Sequence, residues 1–563
     1  MIAFVSNSSF IDGNTADGVR LTWAEEFSDI YVYNLRGGVR GKMGETAARE
    51  GGNVFDIMTG VAITVLVKKP RGDGQPCHIH YAEVDDYLAR QEKLDELDGQ
   101  GSIAGTEFEQ IIPNSHGDWL NQRDDRYLEY QPIGDKKTKG KESTPAIFRV
   151  FSNGLQTNRD AWCYNFSADE VENNMRRMIS NYNEEVEKGH NSKSANMDDG
   201  YVSWTRKLKR ELDTGKYHSF YPERVILGAY RPFCRQTVYF DAAVNEYVNQ
   251  LPQIFPTPEQ PNLALGPIGE RRKEFSTLMV DCLPDLEMVS KAQWCPLYTW
   301  GKLTSDGPQG SLLDFCGMTT EQISKPINFA RPIAEQVPLE VGGYRRRDNI
   351  TDATLAAYRQ HYHDARSPQG ERISKEDIFF YVYALLHHPE YRERYHADLK
   401  KMLPRIPKAV DFWSYSTIGR ELADLHVNYE RMPAYSSIQA EWSMDTPTDE
   451  WAKYHVTKLV WAKNSGKAKD LTRLIYNDYL TFSGIPAEAN EYKIGGRSPL
   501  EWMVDRYKIT TDKKSGIVND PNDYCREVGD PAYIAKLVPS LVTVSMRTQE
   551  LMRALPEFLV DEA

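Results

Sequence analysis

Cysteine is scarce in this 563-residue sequence. The seven cysteines are scattered, and no two of them are separated by only two residues. An odd, dispersed set argues against a disulfide framework and favours a reducing compartment. Long apolar runs are also missing, since a run such as Val61–Val67 is far short of the ~18–20 residues of a membrane span. The N-terminus carries no basic segment followed by an apolar stretch, so we expect a cytoplasmic protein.

An excess of positive charge is absent as well. The net charge is −13 and the isoelectric point is near 5.5, which speaks against a protein that coats nucleic acid by bulk electrostatics. Any DNA site must therefore be local. Residues 201–236 permit such a site, because they carry eight basic side chains against three acidic ones. The eight are Arg206, Lys207, Lys209, Arg210, Lys216, Arg224, Arg231 and Arg235.

The length exceeds what one hydrophobic core supports, so at least two domains are expected. The chain opens with short apolar runs separated by a helical pattern over Asp17–Phe27 and by a Gly-rich loop. The runs Ile2–Val5, Ile30–Leu35 and Val61–Val67 are predicted to be strands of one sheet. The fold class is therefore α/β.

Further along, local signals predict helices and one boundary. An acidic stretch over Tyr81–Leu97 is predicted to be helical, and the polar stretch Gln131–Thr144, with its lysine run, is the best linker candidate. Capping patterns begin helices after Ser167 and Ser374. Further helices are predicted at Thr351–His363 and from Pro389, which suits a first helical turn.

Several separate motifs resemble the methyltransferase and specificity regions of the single-chain type ISP restriction–modification enzymes and their type IIG relatives. The N-terminal stretch Phe4–Gly13 is similar to the strand and loop after the catalytic motif of γ-class adenine-N6 methyltransferases. The later matches are Gly18–Arg36, Gly60–Val67, Tyr230–Phe233, Tyr239–Asp241, Ile254–Pro256, Pro296–Tyr298, Glu376–Pro407, Gly419–His426 and Ser515–Pro521.

The resemblance implies a partial, Rossmann-like methyltransferase sheet in residues 1–75, an insert and linker in 76–145, and a large mixed α/β target-recognition region in 146–563. It implies double-stranded DNA as the partner. In an intact family enzyme it also implies S-adenosylmethionine as the methyl donor, with helicase-like and nuclease modules in the same polypeptide.

Two motifs that methyl transfer needs are missing. The family's [Asp/Asn/Ser]-Pro-Pro-[Tyr/Phe] element, which binds and stacks on the flipped adenine, does not occur. The nearest match, Asp530–Tyr533, is better interpreted as a helix start. No donor-binding glycine loop precedes Phe4, and Gly37–Gly41 falls where the family has a variable loop. We therefore expect that the chain by itself neither binds the methyl donor nor transfers a methyl group. The alternatives are that it is one half of a split methyltransferase, active only with a partner chain, or that it is an inert relic.

Candidate site residues follow from the resemblance and from charge. Asn7, Ser8, Ser9 and Phe10 are expected to line the target-base site, or else to form an ordinary polar turn. The DNA-contact candidates are Lys207, Lys209, Arg210, Arg231, Arg235, Arg345, Arg346 and Arg347, with a solvated charge run as the alternative for the last three. Cys77-His78-Ile79-His80 is interpreted as a turn with incidental polar residues, because no second ligand pair accompanies it, and no metal site is predicted.

Overall fold

The structure is a computed structural model that describes residues 1–40, 44–70, 75–268, 274–303, 326–363, 365–466 and 468–560. The chain divides into two compact units. Unit 1 comprises Met1–Tyr130, Gly269–Phe275 and Pro389–Arg405, and unit 2 comprises Gln131–Ile268, Ser276–His388 and Ile406–Ala563. The predicted boundaries at residues 75 and 145 stay predictions.

The described helices are α1 Asp17–Glu26, α2 Gly44–Arg49, α3 Arg90–Gln100, α4 Asp160–Cys163, α5 Ala168–Glu187, α6 Arg206–Asp213, α7 Ile333–Gln336, α8 Asp352–His361, α9 Lys375–Leu385, α10 Pro389–Arg394, α11 His396–Lys401, α12 Phe412–Val427, α13 Glu450–Tyr454, α14 Pro499–Arg506, α15 Pro521–Val528 and α16 Tyr533–Arg553. The strands of unit 1 are β1 Ile2–Asn7, β2 Asp29–Arg36, β3 Val61–Val67, β4 His78–Glu83 and β5 Glu109–Ile111.

The later strands are β6 Gln131–Pro132, β7 Ser152–Asn153, β8 Tyr164–Asn165, β9 Val225–Arg231, β10 Cys234–Tyr239, β11 Ala264–Pro267, β12 Thr277–Val280, β13 Leu283–Pro284, β14 Gln293–Pro296, β15 Tyr298–Lys302, β16 Glu340–Val341, β17 Tyr344–Asp348, β18 Arg405–Ile406, β19 Gln439–Trp442, β20 Val460–Lys463, β21 Lys469–Ile475, β22 Leu480–Ser483, β23 Thr510–Thr511 and β24 Val518–Asn519.

Unit 1 is built on a five-stranded sheet in the order β1-β3-β2-β4-β5. Strand β3 runs antiparallel to both β1 and β2, whereas β4 runs parallel to β2. Strands β1 and β2 therefore point the same way, with β3 between them. The prediction that the three N-terminal apolar runs share one sheet is confirmed.

The middle of this sheet is covered on both faces, which explains why Val61–Val67 is apolar without alternation. Ile30, Val32 and Leu66 belong to one buried cluster, while Tyr33 and Val61 belong to another. Because successive side chains of a strand point to opposite faces, the two clusters mark the two sides of the sheet.

Two local predictions in unit 1 are wrong. The start of the acidic stretch Tyr81–Leu97 is not helical, since His78–Glu83 forms β4 and the helix begins only at Arg90. The His-containing segment near Cys77 is correspondingly a strand rather than a turn. Parallel pairing with β2 decides the conformation of β4, and a neighbouring strand of this kind overrides local propensity.

Unit 2 holds several small sheets. Their strand orders are β13-β9-β10-β8, β12-β11-β14-β7, β15-β17-β16, β19-β22-β21-β20 and β23-β24. The capping predictions are confirmed: the Ser167 hydroxyl accepts a hydrogen bond from the Glu170 amide at 3.2 Å, and Ser374 begins α9 in a capping box with Asp377. The predicted helices at Thr351 and Pro389 are also present as α8 and α10.

Helices α9 and α12 approach each other closely at Gly419. A Cβ atom at this position would lie 1.9 Å from the Phe380 carbonyl oxygen. Arg420, the next residue, donates to the Glu376 carboxylate at 2.6 Å, and Ser416 donates to the Asp377 carbonyl at 3.1 Å. Glycine is therefore required for the packing of this helix pair.

The mixed α/β class is confirmed. The five-stranded sheet has mixed polarity, and its assignment to a partial methyltransferase fold stays a prediction. Within the described ranges, no helix is long and apolar enough to span a membrane.

Candidate nucleic-acid interface

The predicted target-base residues form a tight turn at the end of β1. The Asn7 side-chain oxygen accepts a hydrogen bond from the Ser9 amide at 2.8 Å, and the Ser8 amide donates to the Gly60 carbonyl at 2.9 Å. The half-buried Phe10 ring packs edge-on against Trp23, with ring centroids 5.2 Å apart. Asn7 and Ser9 are exposed, whereas Ser8 and Phe10 are half-buried, so Asn7 and Ser9 are the most accessible members of the set.

A fully buried arginine holds this turn in place. Arg20 of α1 donates from Nη1 to the carbonyl oxygens of Phe10 at 2.7 Å and Gly13 at 3.0 Å, and from Nε to that of Gly117 at 2.6 Å. Its Nη2 lies 3.5 Å from the Asp118 carboxylate. Burial lowers the pKa of Arg20, which Asp118 opposes.

Asp118 is the centre of a buried ion cluster in unit 1. Besides Arg20, its carboxylate accepts a hydrogen bond from Arg123 Nε at 2.7 Å and contacts the Lys401 ammonium of α11. Burial alone would raise the pKa of Asp118, but the hydrogen bonds from Arg123 and Lys401 outweigh it and hold that pKa well below its usual range. The turn after β1 is thus fixed by charges from distant parts of the chain.

Arg231 and Arg235, both predicted DNA contacts, are engaged internally. Arg231 Nη1 lies 2.6 Å from the Asp285 carboxylate, and its guanidinium stacks on the Tyr230 ring at 4.0 Å. Arg235 Nη2 lies 3.0 Å from Asp281. Burial alone would lower the pKa of each arginine, but the facing carboxylates raise it, so both guanidinium groups stay charged and paired.

The three predicted DNA contacts in α6, namely Lys207, Lys209 and Arg210, differ in exposure. Lys207 donates to the Asn245 carbonyl at 3.1 Å, and burial lowers its pKa, so it is part of the packing. Lys209 and Arg210 are exposed, and neither side chain has a hydrogen bond or an ion pair within the described part of the chain. These two stay available as DNA contacts.

The three consecutive arginines of β17 have separate environments. Arg345 forms an exposed cross-strand ion pair with Glu340, 2.5 Å away. Arg346 donates to the Ala334 carbonyl at 3.0 Å. Arg347 is exposed and has no ion pair among the described residues.

Sequence reasoning missed a basic cavity that includes Arg347. The cavity has a volume of about 350 Å³ and is also lined by Lys139 and Arg149. Lys139 lies in the lysine run that was predicted to be a linker, and this run is the signal from which a basic site could have been inferred. No cluster of three or more metal-ligating side chains occurs among the described residues.

The comparisons with known proteins agree on one family. The family model described as the Type ISP C-terminal specificity domain matches residues 146–537. No curated protein matches the chain.

Three solved structures are similar to almost the whole chain. A nuclease-deletion mutant of the Type ISP restriction-modification enzyme LlaGI, in complex with a DNA substrate mimic, is 35% identical with a TM-score of 0.77, covering 100% of this chain and 39% of that chain. The ATP-dependent Type ISP restriction-modification enzyme LlaBIII bound to DNA is 36% identical with a TM-score of 0.80, and the match covers 100% of this chain and 33% of that chain. The DrdV–DNA complex is 31% identical with a TM-score of 0.75, and the match covers 99% of this chain and 50% of that chain.

This chain therefore spans between a third and a half of the length of the chains it matches. The predicted resemblance is confirmed by the family model, which covers well over half of the 563 residues, and by identities above 30% over nearly the whole chain. The chain belongs to the family of the Type ISP C-terminal specificity domain.

Proposed function

We propose that this chain recognises a specific sequence in duplex DNA as the target-recognition part of a Type ISP restriction–modification enzyme. The family match over residues 146–537 carries the proposal, and it is supported by similarity to enzymes whose structures contain DNA. Because the net charge is −13, the duplex must be held through confined basic surfaces. The exposed cations Lys209, Arg210 and Arg347 are the predicted contacts best placed to supply them.

In this proposal the turn after β1 lines the site for a flipped adenine. Asn7 and Ser9 are exposed there, and the buried Arg20 holds the backbone of the turn through the Phe10 and Gly13 carbonyls. A base taken out of the duplex is bound by hydrogen bonds to its edge, which requires polar groups whose positions are fixed beforehand. Arg20 would serve as a positioning residue, not a catalytic one.

In this proposal the methyl donor does not bind at Gly37 and Gly38, the glycine pair that follows β2. The Gly37 and Gly38 amides donate to the Glu50 carbonyl and carboxylate at 3.1 and 2.9 Å, so neither is free for a ligand. A Cβ at Gly37 would lie 2.9 Å from the Asn53 Cα, so this glycine allows the chain to pack on itself. Gly41 lies outside the described residues. We propose that methyl transfer requires donor-binding and catalytic motifs that these 563 residues do not contain.

The open edge of β1 favours a second candidate, in which the chain completes a methyltransferase with another polypeptide segment. Among the described strands, β1 pairs only with β3, and Ile2 and Val5 are 55% and 53% exposed. An apolar edge strand is a template for pairing with another strand. In this candidate, a strand from the catalytic part pairs along β1, next to Asn7.

The proposed function is tested by selection of bound sequences from a random duplex library with the purified chain. We expect one short motif to be enriched, and binding to it should exceed binding to a scrambled duplex by roughly 10³-fold or more. Equal affinity for selected and scrambled duplexes would contradict the proposal. Appearance of methyl transfer only after a candidate catalytic chain is added would support the second candidate.

A further inference from the structure

A basic cavity in unit 2 has the features of an anion site. It lies between the turn around Lys139, strand β15 and strand β17, and has a volume of about 350 Å³. Three cations line it, namely Lys139, Arg149 and Arg347, and Glu142 is the one carboxylate in the lining. Gln250 and Gln253 add amide groups, which also donate hydrogen bonds to phosphate oxygens.

The turn that carries Lys139 is structurally defined rather than a loose linker. The Asp135 carboxylate accepts hydrogen bonds from the Lys137 amide at 3.0 Å and from the Thr138 hydroxyl at 2.6 Å. Gly140 has a φ of 82°, and its amide donates to the Arg149 carbonyl at 2.8 Å. These bonds fix the backbone on both sides of Lys139.

The three cations differ in whether a carboxylate of the chain already pairs with them. Arg149 is held by Glu142 and by the Thr299 hydroxyl, 3.3 Å from its Nη2. Lys139 has no carboxylate partner within the described part of the chain, and its ammonium lies 4.6 Å from the centre of the Phe151 ring. Burial lowers the pKa of Lys139, which means that its charge is desolvated without a compensating anion. Arg347 is exposed and likewise unpaired among the described residues.

A second cavity in unit 2 provides a comparison. It has a volume of about 280 Å³ and contains two arginines, Arg235 and Arg431, but also Asp281 and Glu430. Its charges balance, and Arg235 is already paired with Asp281 at 3.0 Å. The cavity at Lys139 has three cations against one carboxylate, so it is the one suited to an anion.

We propose that Lys139, Arg149 and Arg347 bind a backbone phosphate of duplex DNA. This inference rests on the proposed function, since it names a contact of the same DNA. The site is expected to grip the duplex without reading its sequence, because phosphate contacts fix register and orientation but carry no base information. Lys139 and Arg347 supply the unpaired charge, and Arg149 is oriented by Glu142 and Thr299.

The test compares two charge-matched double variants of the full chain. Lys139→Gln with Arg347→Gln removes the unpaired cations of the cavity. Lys514→Gln with Arg526→Gln removes the same total charge from exposed ion pairs with Asp199 and Asp523. Equilibrium binding to a library-selected duplex and to its scrambled version is measured between 50 and about 200 mM salt, the range over which phosphate contacts change affinity strongly.

We expect the cavity variant to bind both duplexes more weakly, by the same factor. The slope of log affinity against log salt should become less negative by about 0.9 for one lost phosphate contact, with no such change in the control variant. Glu142→Gln removes the negative charge but keeps a side-chain oxygen that can accept a hydrogen bond from Arg149, so it should act in the opposite direction and tighten binding to both duplexes, which misfolding cannot explain.

The other outcomes show whether the phosphate site, the proposed function or both are wrong. If the wild-type chain prefers the selected duplex but the cavity variant has an unchanged slope, the phosphate site is wrong and the proposed function stands. If affinity falls only for the selected duplex, these residues read bases, which also overturns the assignment. If the wild-type chain binds no duplex, both proposals fail. If inorganic phosphate binds the wild-type chain but not the cavity variant, and does not displace the duplex more than chloride does at equal ionic strength, the site takes free phosphate instead of DNA and the assignment is wrong.

Discussion

Removing the Asp118 carboxylate should loosen unit 1 selectively. In Asp118→Ala, Arg20 and Lys401 lose their counter-ion while their side chains are 0% and 8% exposed. Breaking a buried ion pair by removing one partner typically costs about 3–5 kcal/mol, because an uncompensated charge stays buried. Since each 1.4 kcal/mol is about a factor of ten, local opening should become roughly a hundred- to several-thousand-fold more frequent.

Hydrogen exchange measured peptide by peptide on the full chain tests this prediction. Faster exchange is expected in residues 8–13, which Arg20 holds, and in residues 114–123 and 396–401, while α9 in unit 2 should be unchanged. The matched control is Asp125→Ala, which removes an acid that is 79% exposed and paired only with His116 in the described structure. An exposed pair contributes at most about 1 kcal/mol. Equal acceleration in both units, or none in residues 8–13, would refute the reasoning.

The pH dependence of this effect has a definite sign. The pKa of Asp118 is lowered in the folded chain, because hydrogen bonds from Arg123 and Lys401 outweigh the effect of burial. A carboxylate with a depressed pKa stabilises the fold above its unfolded pKa of about 3.9, and this contribution is lost as the pH falls toward the folded pKa. The difference between wild type and Asp118→Ala should therefore be constant near neutral pH and shrink below about pH 4.

Three further predictions follow from packing, ion pairs and missing motifs. Gly419→Ala should lower the melting temperature, because the new Cβ would lie 1.9 Å from the Phe380 carbonyl oxygen and overpacking costs about 1–3 kcal/mol. The control Gly99→Ala should leave the melting temperature unchanged or raise it, because its Cβ would meet no atom within 4 Å beyond its chain neighbours and the backbone of its own helix. Arg231→Gln should reduce thermal stability by leaving the buried Asp285 unpaired, while the salt dependence of DNA binding by the folded fraction stays as in wild type. If the slope of log affinity against log salt instead became less negative by about 0.9, Arg231 would be a phosphate contact. Calorimetry with S-adenosylmethionine should show no binding to the purified chain, and a tritium-transfer assay on mixed duplex DNA should stay at background. Robust methylation by the purified chain would overturn the proposal that methyl transfer requires motifs that these 563 residues do not contain.

Local signals in the sequence were sufficient for many individual elements. The hydroxyl of Ser167 and the capping box at Ser374 begin helices where the sequence predicts them, because a cap satisfies backbone groups only a few residues away. The apolar run Val61–Val67 predicted a strand of the N-terminal sheet, and the sheet order places this strand, β3, between β1 and β2. Family membership was likewise accessible from the motifs, and the family model and the structural similarities confirm it.

The sequence alone determined the local periodicity, the caps and the family, but only the tertiary structure decided which charges are free. Arg231 lies in the most basic segment, yet Asp285, far along the chain, neutralises it. Lys139 belongs to a run that resembles a linker, yet Asp135 and Gly140 fix its turn beside Arg347. Capping and strand alternation depend on neighbours in sequence, whereas the pairing of a charge depends on which distant segment packs against it, and composition does not encode that partner.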